Sequence, residues 1–225
     1  MRLLDKLLEK KAPEFTERIW STSAQKIDDL VAQVRKCSTR GVYPVAVAHF
    51  PATQQRLLDA FGAGGIEARG ISSPSQFPSE FPDERSPQTA IPVLSSEAIP
   101  PQSQRAPMAQ AGVTRTAPVS VHLAEHYPTP DRDQGVLALA TIWPTAGEFT
   151  CYTALDEPWL IPFGVERVRQ LIARVGMDEA TVLSHPVLHR ALRNAQQRIA
   201  EQVPHEQRCD SCEEWVRCNL PRVSA

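Results

Sequence analysis

The fold is decided by the stretch VSVHLAEHYPTPDRDQGVLALATIWPTAGEFTCYTALDEPWLIPFGVERVRQLIARVGMDEATVLSHPVLHRALRNAQQRI, which runs from Val119 to Ile199. A short apolar run opens it, and a proline-broken turn and a second apolar run follow. In the segment after these, apolar residues recur at i, i+3, i+4 and i+7, namely Val168, Leu171, Ile172 and Val175. The same spacing returns between Leu188 and Ile199. It predicts two amphipathic helices, over 165–175 and 187–203.

The N-terminal part of the chain alternates helical and strand patterns. A helix is expected over 24–36 and another over 52–61, the first ended by Gly41. The runs Tyr43–Phe50 and Ile66–Ile71 are short, apolar and rich in β-formers, as in buried parallel strands. The order helix, strand, helix, strand predicts an α/β fold with a parallel sheet of about four or five strands flanked by helices.

Two blocks of this sequence resemble the second RecA-like nucleotide domain of SecA, the preprotein-translocase ATPase. In the first block the similar positions are Thr22, Lys26, the segment RGVYPVAV at 40–47, Gln55, Leu57, Leu58, Gly65 and Ile66. The second block matches without a gap at Glu125, Asp133, Gly147, Tyr152, Leu155, Phe163, Gly164, Arg167, Gly176, Met177, Glu179, His185, Arg190, Ala191, Asn194, Ala195 and Gln196, with Phe149 one place early. The resemblance implies a RecA-like fold.

The departures from that family concern its ATP-binding motifs. Leu139 and Ile142 stand where the family has the two arginines that reach the ATP phosphates, and Leu137 replaces another arginine. An apolar side chain cannot neutralise a transferring phosphoryl group, so this segment is expected to be ordinary strand or helix core. The sequence has no G-x-x-x-x-G-K-[ST] phosphate loop either. Glu125 and Asp133 match family positions that contribute to domain closure, and without arginines they are expected to hydrogen-bond the loop as vestigial positions.

Three regions are expected: an N-terminal amphipathic arm at 1–16, a RecA-type domain at 17–203, and a cysteine-containing tail at 204–225. The domain is interrupted at 72–118 by a segment rich in proline, serine and glutamine. Such a composition buries little apolar surface, which predicts a mobile loop. Within this segment the short apolar run TAIPVL at 89–94 could form a strand, and Pro92 favours an edge position for that strand.

Composition narrows the classes of partner. The 225 residues carry a formal net charge of -2, which gives no basic field for nucleic acid. No apolar run approaches the length of about 18 residues that a membrane span requires, and no signal peptide is recognisable. Five cysteines, an odd number, do not suggest a disulfide framework and favour a reduced, cytoplasmic protein.

The tail offers the main candidate metal site. His205, Cys209, Cys212 and Cys218 have spacings compatible with four zinc ligands, although the second closely spaced pair of a zinc ribbon is missing. The favoured alternative is a short capped helix, because Ser211 with Glu214 three residues later forms a capping-box pattern. We therefore expect no bound cofactor, with zinc as the open alternative.

Two histidine pairs also invite a functional interpretation. His185 and His189 are spaced i, i+4 on a helix, which suits a metal, but the position beside Pro186 favours a structural residue at a helix start. His122 and His126 bracket Glu125 near a strand end, where α/β sheets place their sites. The sequence spacing by itself assigns no catalytic triad and no catalytic residue.

A protein-binding patch is predicted from the segment PWLIP at 158–162. The SecA family keeps this turn charged, whereas here it presents an apolar tryptophan between prolines, and tryptophan is enriched at binding hot spots. The predicted patch contains Trp159 and Leu160, joined by Leu3, Leu4 and Leu7 of the N-terminal arm. The alternative is that Trp159 packs under that arm.

Together these features predict a non-catalytic SecA-like domain, a pseudo-ATPase that binds a protein partner such as another SecA-like subunit in protein export. Two alternatives remain open. In the first, the chain is one half of a split ATPase that a separate phosphate-loop chain completes. In the second, it is a small metal-binding adaptor. No nucleic-acid contact and at most peripheral membrane contact are expected.

Overall fold

The computed structural model describes residues 14–77, 90–101, 103, 118–143, 146–174, 176, 178–183 and 185–220. Most of the N-terminal arm, including Leu3, Leu4 and Leu7, and most of the proline-rich segment lie outside these residues. Within the described residues, no helix combines the length and the apolarity that a membrane crossing needs.

A six-stranded parallel sheet forms the centre of the fold. Its strands are β1 (Thr16–Trp20), β2 (Tyr43–Ala48), β3 (Ala68–Ile71), β4 (Ile91–Ser95), β5 (Val119–Leu123) and β6 (Ala146–Ala154). They lie side by side in the order β1-β6-β5-β2-β4-β3. The described helices are α1 (Ser23–Thr39), α2 (Pro51–Ala63), α3 (Pro130–Leu137), α4 (Leu139–Ile142), α5 (Val165–Arg174), α6 (Pro186–Gln202) and α7 (Cys212–Asn219). The α/β class predicted from the sequence, a parallel sheet flanked by helices, is confirmed in this architecture.

The side chains of β2 alternate between the two faces of the sheet. Val45 and Val47 pack with α3 and α4, whereas Ala46 and Ala48 pack with α1 and α2. Because a strand has a two-residue period, an apolar run of this kind is buried on both sides only when helices cover both faces. The sequence YPVAVA therefore specifies a central strand.

Local signals fix the ends of the first helix. The Thr22 side chain accepts a hydrogen bond from the backbone N–H of Gln25, whose own side chain bonds back to the Thr22 N–H, which is a complete capping box. At the other end Gly41 has a φ of 69°, a left-handed conformation that stops the helix. The helix that Gly41 was predicted to end thus runs over Ser23–Thr39.

Two expectations about the strands are wrong. The sheet has six strands because the polar sequence TERIW forms β1, which pairs with β6 at the sheet edge. The proline-bearing strand β4 is internal, between β2 and β3. Pro92 is tolerated there because pairing of β4 with β2 begins one residue later, at Val93, so its missing N–H falls at the start of the strand.

Helices α5, α6 and α7 share one apolar cluster with the carboxyl-end loops of the sheet. Within the tail, Trp215 is fully buried and its ring meets the ring of Tyr127 edge-on, with centroids 5.9 Å apart. The residues 212–220 therefore complete the core of the domain and are continuous with it.

Candidate functional site

A crevice opens between β2 and β4, at the carboxyl ends of the strands. The chain leaving β2 enters α2 on one face of the sheet, and the chain leaving β4 continues through a short 3-10 helix, Ser96–Ala98, to the other face. Two neighbouring strands whose connections diverge in this way define a topological switch point, where α/β proteins bind ligands.

The crevice encloses about 280 Å³. Its walls come from the ends of β2 and β4, from the loop and first turn after β5, and from the tail. The lining residues are His49, Phe50, Pro51, Ser95, Ser96, Glu97, Tyr127, Arg132, Arg208, Cys209 and Asp210. Such a volume suits a small ligand.

Five polar side chains are hydrogen-bonded in series from the β1 edge to the crevice. The order of this polar row is Glu17, His126, Asp133, His49, Ser96. The distances are 2.9 Å from Glu17 Oε2 to His126 Nε2 and 2.6 Å from His126 Nδ1 to Asp133 Oδ2. They are 2.9 Å from Asp133 Oδ1 to His49 Nε2 and 3.0 Å from His49 Nδ1 to Ser96 Oγ. Glu17 lies in β1, whereas His126, His49 and Ser96 follow the ends of β5, β2 and β4, and Asp133 lies in the first turn of α3.

Asp133 is the acceptor at the centre of the row. Besides the two histidines, it accepts from the backbone N–H of Tyr127 at 2.9 Å and from Nε2 of Gln196 at 2.9 Å. Burial on its own would raise the pKa of Asp133, but the charge of His126 and the hydrogen bonds from both histidines outweigh it and hold that pKa far below its ordinary value. Asp133 is therefore an ionised carboxylate whose hydrogen-bonding capacity is filled.

His126 is the cation that balances these carboxylates. Burial would lower its pKa, yet Glu17 and Asp133, one on each ring nitrogen, hold the pKa well above 6.5. Protonated His126 donates to both carboxylates. A raised folded-state pKa means that His126 stabilises the fold fully below pH 6.5 and loses this contribution as the pH rises through the folded-state value.

We therefore predict that the free energy of unfolding falls as the pH rises from 6.5 towards the folded-state pKa of His126, by at most about 1.4 kcal/mol per pH unit for one proton. Urea titrations across this range measure it. His122 does not interfere, because burial lowers its pKa to about 4 and confines its effect to more acidic solution. The His126→Gln variant should lose the slope, whereas His205→Gln, at an exposed position, should keep it. A wild-type slope that survives His126→Gln contradicts the assignment.

Glu125 organises the backbone beside this row. Its Oε1 accepts from the backbone N–H groups of His49 and Phe50, each at 3.2 Å, and its Oε2 accepts from the Thr53 hydroxyl at 2.7 Å. Glu125 and Asp133, the two positions singled out in the sequence, thus both hydrogen-bond the backbone of loops at the carboxyl ends of the strands.

The positions that carry arginine in the SecA family are apolar core here. Leu139 and Ile142 are fully buried in the cluster under α3 and α4, and Leu137 packs partly buried against it. The expectation that this segment became ordinary core is confirmed, with helices α3 and α4 as its structure.

The prediction that Trp159 and Leu160 form an exposed docking patch is wrong. Trp159 is fully buried and Leu160 is 6% exposed, because both belong to the apolar cluster of α5, α6 and α7. The indole N–H of Trp159 donates to Glu157 at 2.8 Å, so even its polar atom is satisfied inside the protein. The exposed apolar residue of the segment is Ile161, at 61%.

Cys209 and Cys218 lie close enough to interact, but the tail cysteines and His205 form no group of three ligands in the described residues. No three of their ligand atoms come within 4.8 Å of one another in the described structure. Instead Ser211 caps α7 by accepting from the Glu214 N–H at 3.2 Å, while the Glu214 carboxylate returns to the N–H of Asp210. This geometry is that of the predicted capped helix. In a standard capping box the Glu214 carboxylate would accept from the N–H of Ser211, whereas here it accepts from the N–H of the preceding residue, Asp210.

Within the described residues, one group has metal-compatible spacing, namely Glu17, His126 and Cys151. Burial raises the pKa of the Cys151 thiol to about 12, which keeps it neutral, and both ring nitrogens of His126 donate to carboxylates. Zinc needs a thiolate and a free ring nitrogen, so these side chains fit the hydrogen-bonded row better than a metal site.

The remaining histidines have separate roles. His185 caps α6 by accepting from the Val187 N–H at 3.2 Å, as its position at a helix start predicted. His122 lies on the opposite face from the crevice, 3.0 Å from the Tyr152 hydroxyl. Of the histidine pair that brackets Glu125, only His126 joins the row.

No family model matches this sequence. Among solved structures, the chain is similar to one described as the crystal structure of the C-terminal part of the Fun30 ATPase domain, with a TM-score of 0.43 and 12% identity. The alignment covers 78% of this chain and 54% of that structure, so the chain spans about half its length.

Proposed function

We propose that this chain is a RecA-like domain related to the second nucleotide domain of SecA, and that it acts in the cytoplasm without hydrolysing ATP, as an accessory protein in export. The observation that supports this most is the state of the vestigial ATP-site positions. Glu125 and Asp133 accept hydrogen bonds from groups within the protein, and Leu139 and Ile142 are buried in the core. None of the four lines the crevice.

The partner in this proposal is another SecA-like subunit, and Ile161 is the residue assigned to contact it. Ile161 begins a short 3-10 helix and exposes 61% of its surface, beside a groove lined by Leu160, Phe163 and Val165. In the proposed interface the exposed Ile161 side chain would be buried against the partner subunit.

The alternative of a split ATPase half is kept as a second candidate. In that arrangement a separate phosphate-loop chain would supply the cradle. The buried positions of Leu139 and Ile142 count against it, because removing arginines that act in the transition state typically costs about 10³–10⁵ in rate.

Calorimetric titration tests both candidates. With ATP and Mg²⁺ we expect no saturable heat at micromolar concentration, and with a purified SecA-like ATPase subunit we expect saturable binding. Ile161→Asp should weaken that binding at least about tenfold, whereas Asp178→Ala, at an exposed surface position, should leave it unchanged. Micromolar ATP binding, or ATP hydrolysis that appears when a phosphate-loop chain is added, would contradict the proposal and support the split enzyme.

A further inference from the structure

The crevice end of the polar row has the arrangement of a nucleophile, a base and an orienting carboxylate. Ser96 Oγ lies 3.0 Å from His49 Nδ1, and His49 Nε2 lies 2.9 Å from Asp133 Oδ1. These separations fall within the range of about 2.6–3.2 Å that nucleophile and base need for proton transfer. Such an arrangement is recognised by its geometry and roles, whatever the fold and the order of its residues in the chain.

The proton positions follow from the partners. Asp133 is an ionised carboxylate and can only accept, so His49 must carry a proton on Nε2. In neutral His49, Nδ1 then holds a lone pair, and the Ser96 hydroxyl donates to it. The row thus selects the one tautomer in which the imidazole acts as a base toward Ser96.

Catalysis requires a buried base and carboxylate together with a nucleophile that a substrate can reach, and the three residues meet this requirement. The side chain of His49 is fully buried and that of Asp133 is 7% exposed, so the base and its carboxylate are shielded from water. Ser96 is half-buried and lines the crevice at the start of a short 3-10 helix. A ligand in the crevice therefore meets the hydroxyl before any other member of the row.

Two guanidinium groups and two carboxylates line the crevice, namely Arg132, Arg208, Glu97 and Asp210, so their charges balance. Arg132 is held by Glu206 at 2.6 Å, whereas Arg208 is 74% exposed and is only loosely paired with Glu97, at 3.4 Å. An exposed pair of this kind contributes little stability, so the Arg208 side chain can leave Glu97. Its guanidinium can then stabilise negative charge that develops on a substrate oxygen.

We propose that Ser96 is an acyl-accepting nucleophile, with His49 as its general base and Asp133 as the positioning carboxylate, acting on small esters. This inference goes beyond the accessory role and is independent of ATP. Ser96 Oγ attacks the ester carbon while its proton passes to His49 Nδ1. The ester C–O bond breaks, and the departing alkoxide takes that proton from His49 to leave as an alcohol.

The acyl group then leaves Ser96 by hydrolysis. A water molecule attacks the acyl carbon and gives one proton to His49 Nδ1. The bond between the acyl carbon and Ser96 Oγ breaks, the serine recovers its proton from His49, and a carboxylic acid is released. No oxidant, reductant or metal enters either step.

A fluorophosphonate probe tests the nucleophile, because it reacts covalently with serine hydroxyls that have an adjacent base. We expect one adduct per chain, located on Ser96 by peptide mass spectrometry. Ser96→Ala should abolish it. Ser73→Ala, which removes a half-buried hydroxyl outside the crevice, should label like the wild type. No adduct, or an adduct elsewhere that persists in Ser96→Ala, overturns the proposal.

The base and the carboxylate need a second measurement, since both are buried. General-base assistance contributes about 10²–10⁴ in rate, so His49→Gln and Asp133→Asn should each slow labelling at least about 100-fold. Circular dichroism establishes whether each variant is folded, and 4-nitrophenyl acetate, a small ester, serves as the turnover probe. A folded His49→Gln or Asp133→Asn protein that labels at the wild-type rate overturns the assignment. If either variant is unfolded, the same comparison is made with His49→Asn, which shortens the side chain and retains an amide hydrogen bond.

Discussion

Replacing Lys26 with methionine is expected to lower the free energy of unfolding by about 3–5 kcal/mol. Lys26 Nζ lies 2.7 Å from Glu157 Oε1, and both side chains are almost completely buried, at 5% and 7% exposure. Glu157 also accepts from the Ala154 N–H and the Trp159 indole, and Glu125 lies near enough to act on the same ammonium. Removing the only positive charge of this pair leaves a carboxylate buried without its counter-ion.

Chemical denaturation measures this effect. Lys36→Met makes the same replacement at an exposed position of α1 and should change stability by no more than about 0.5 kcal/mol. The double variant Lys26→Met, Glu157→Gln should recover part of the loss, because no unpaired charge remains. Equal losses in the Lys26 and Lys36 variants would show that the pair contributes little.

Trp215→Ala is expected to cost about 3–5 kcal/mol, the usual range for removing a large aromatic side chain from a core. Trp215 is fully buried and packs on Tyr127, which lines the crevice. The loss should therefore appear in thermal unfolding of the whole domain, in a single transition. Arg217→Ala is the matched control in the same helix, since the Arg217 side chain is 76% exposed.

A separate low-temperature transition in Trp215→Ala would contradict this expectation. It would mean that the tail melts as an independent unit and that the rest of the domain is stable without it.

Much of the fold could be predicted from sequence because its signals are local. The run YPVAVA has the composition of a doubly covered strand, and Thr22 with Gln25 defines a helix start. The strand TERIW could not be recognised this way. At an edge position its polar residues Glu17 and Arg18 are tolerated, and its pairing partner is distant in the chain. Edge strands lack the hydrophobic signature on which such predictions rest.

The candidate site was predictable only in part. Glu125, Asp133 and His126 were noticed from a resemblance or from their place after a strand, and all three belong to the polar network at the crevice. His49 and Ser96 were missed as partners. Each follows a different strand, and only the sheet order puts β2 beside β4. The sequence does contain one signal that could have identified them, namely a polar residue directly after each of two central strands. Residues in that position lie close together at a topological switch point.

The exposure of Trp159 was predicted wrongly from its position between two prolines. Its neighbours in sequence suggested an exposed turn, but the turn is held inward by Glu157, whose carboxylate accepts the indole N–H. An acidic residue two positions before a tryptophan can satisfy its only polar atom, and this removes the main cost of burying the ring.

The pairing of β1 with β6 has a consequence for synthesis on the ribosome. The bonds that hold the first strand and helix, such as that between Ser23 and Asp156, join positions 133 residues apart. At about 5–20 residues per second, the ribosome adds the intervening chain in roughly 7–27 s. Throughout that interval β1 has no strand beside it and Lys26 has no counter-ion. Molecular chaperones that hold nascent chains would thus encounter the N-terminal segment first, as an incomplete sheet edge beside an unpaired lysine.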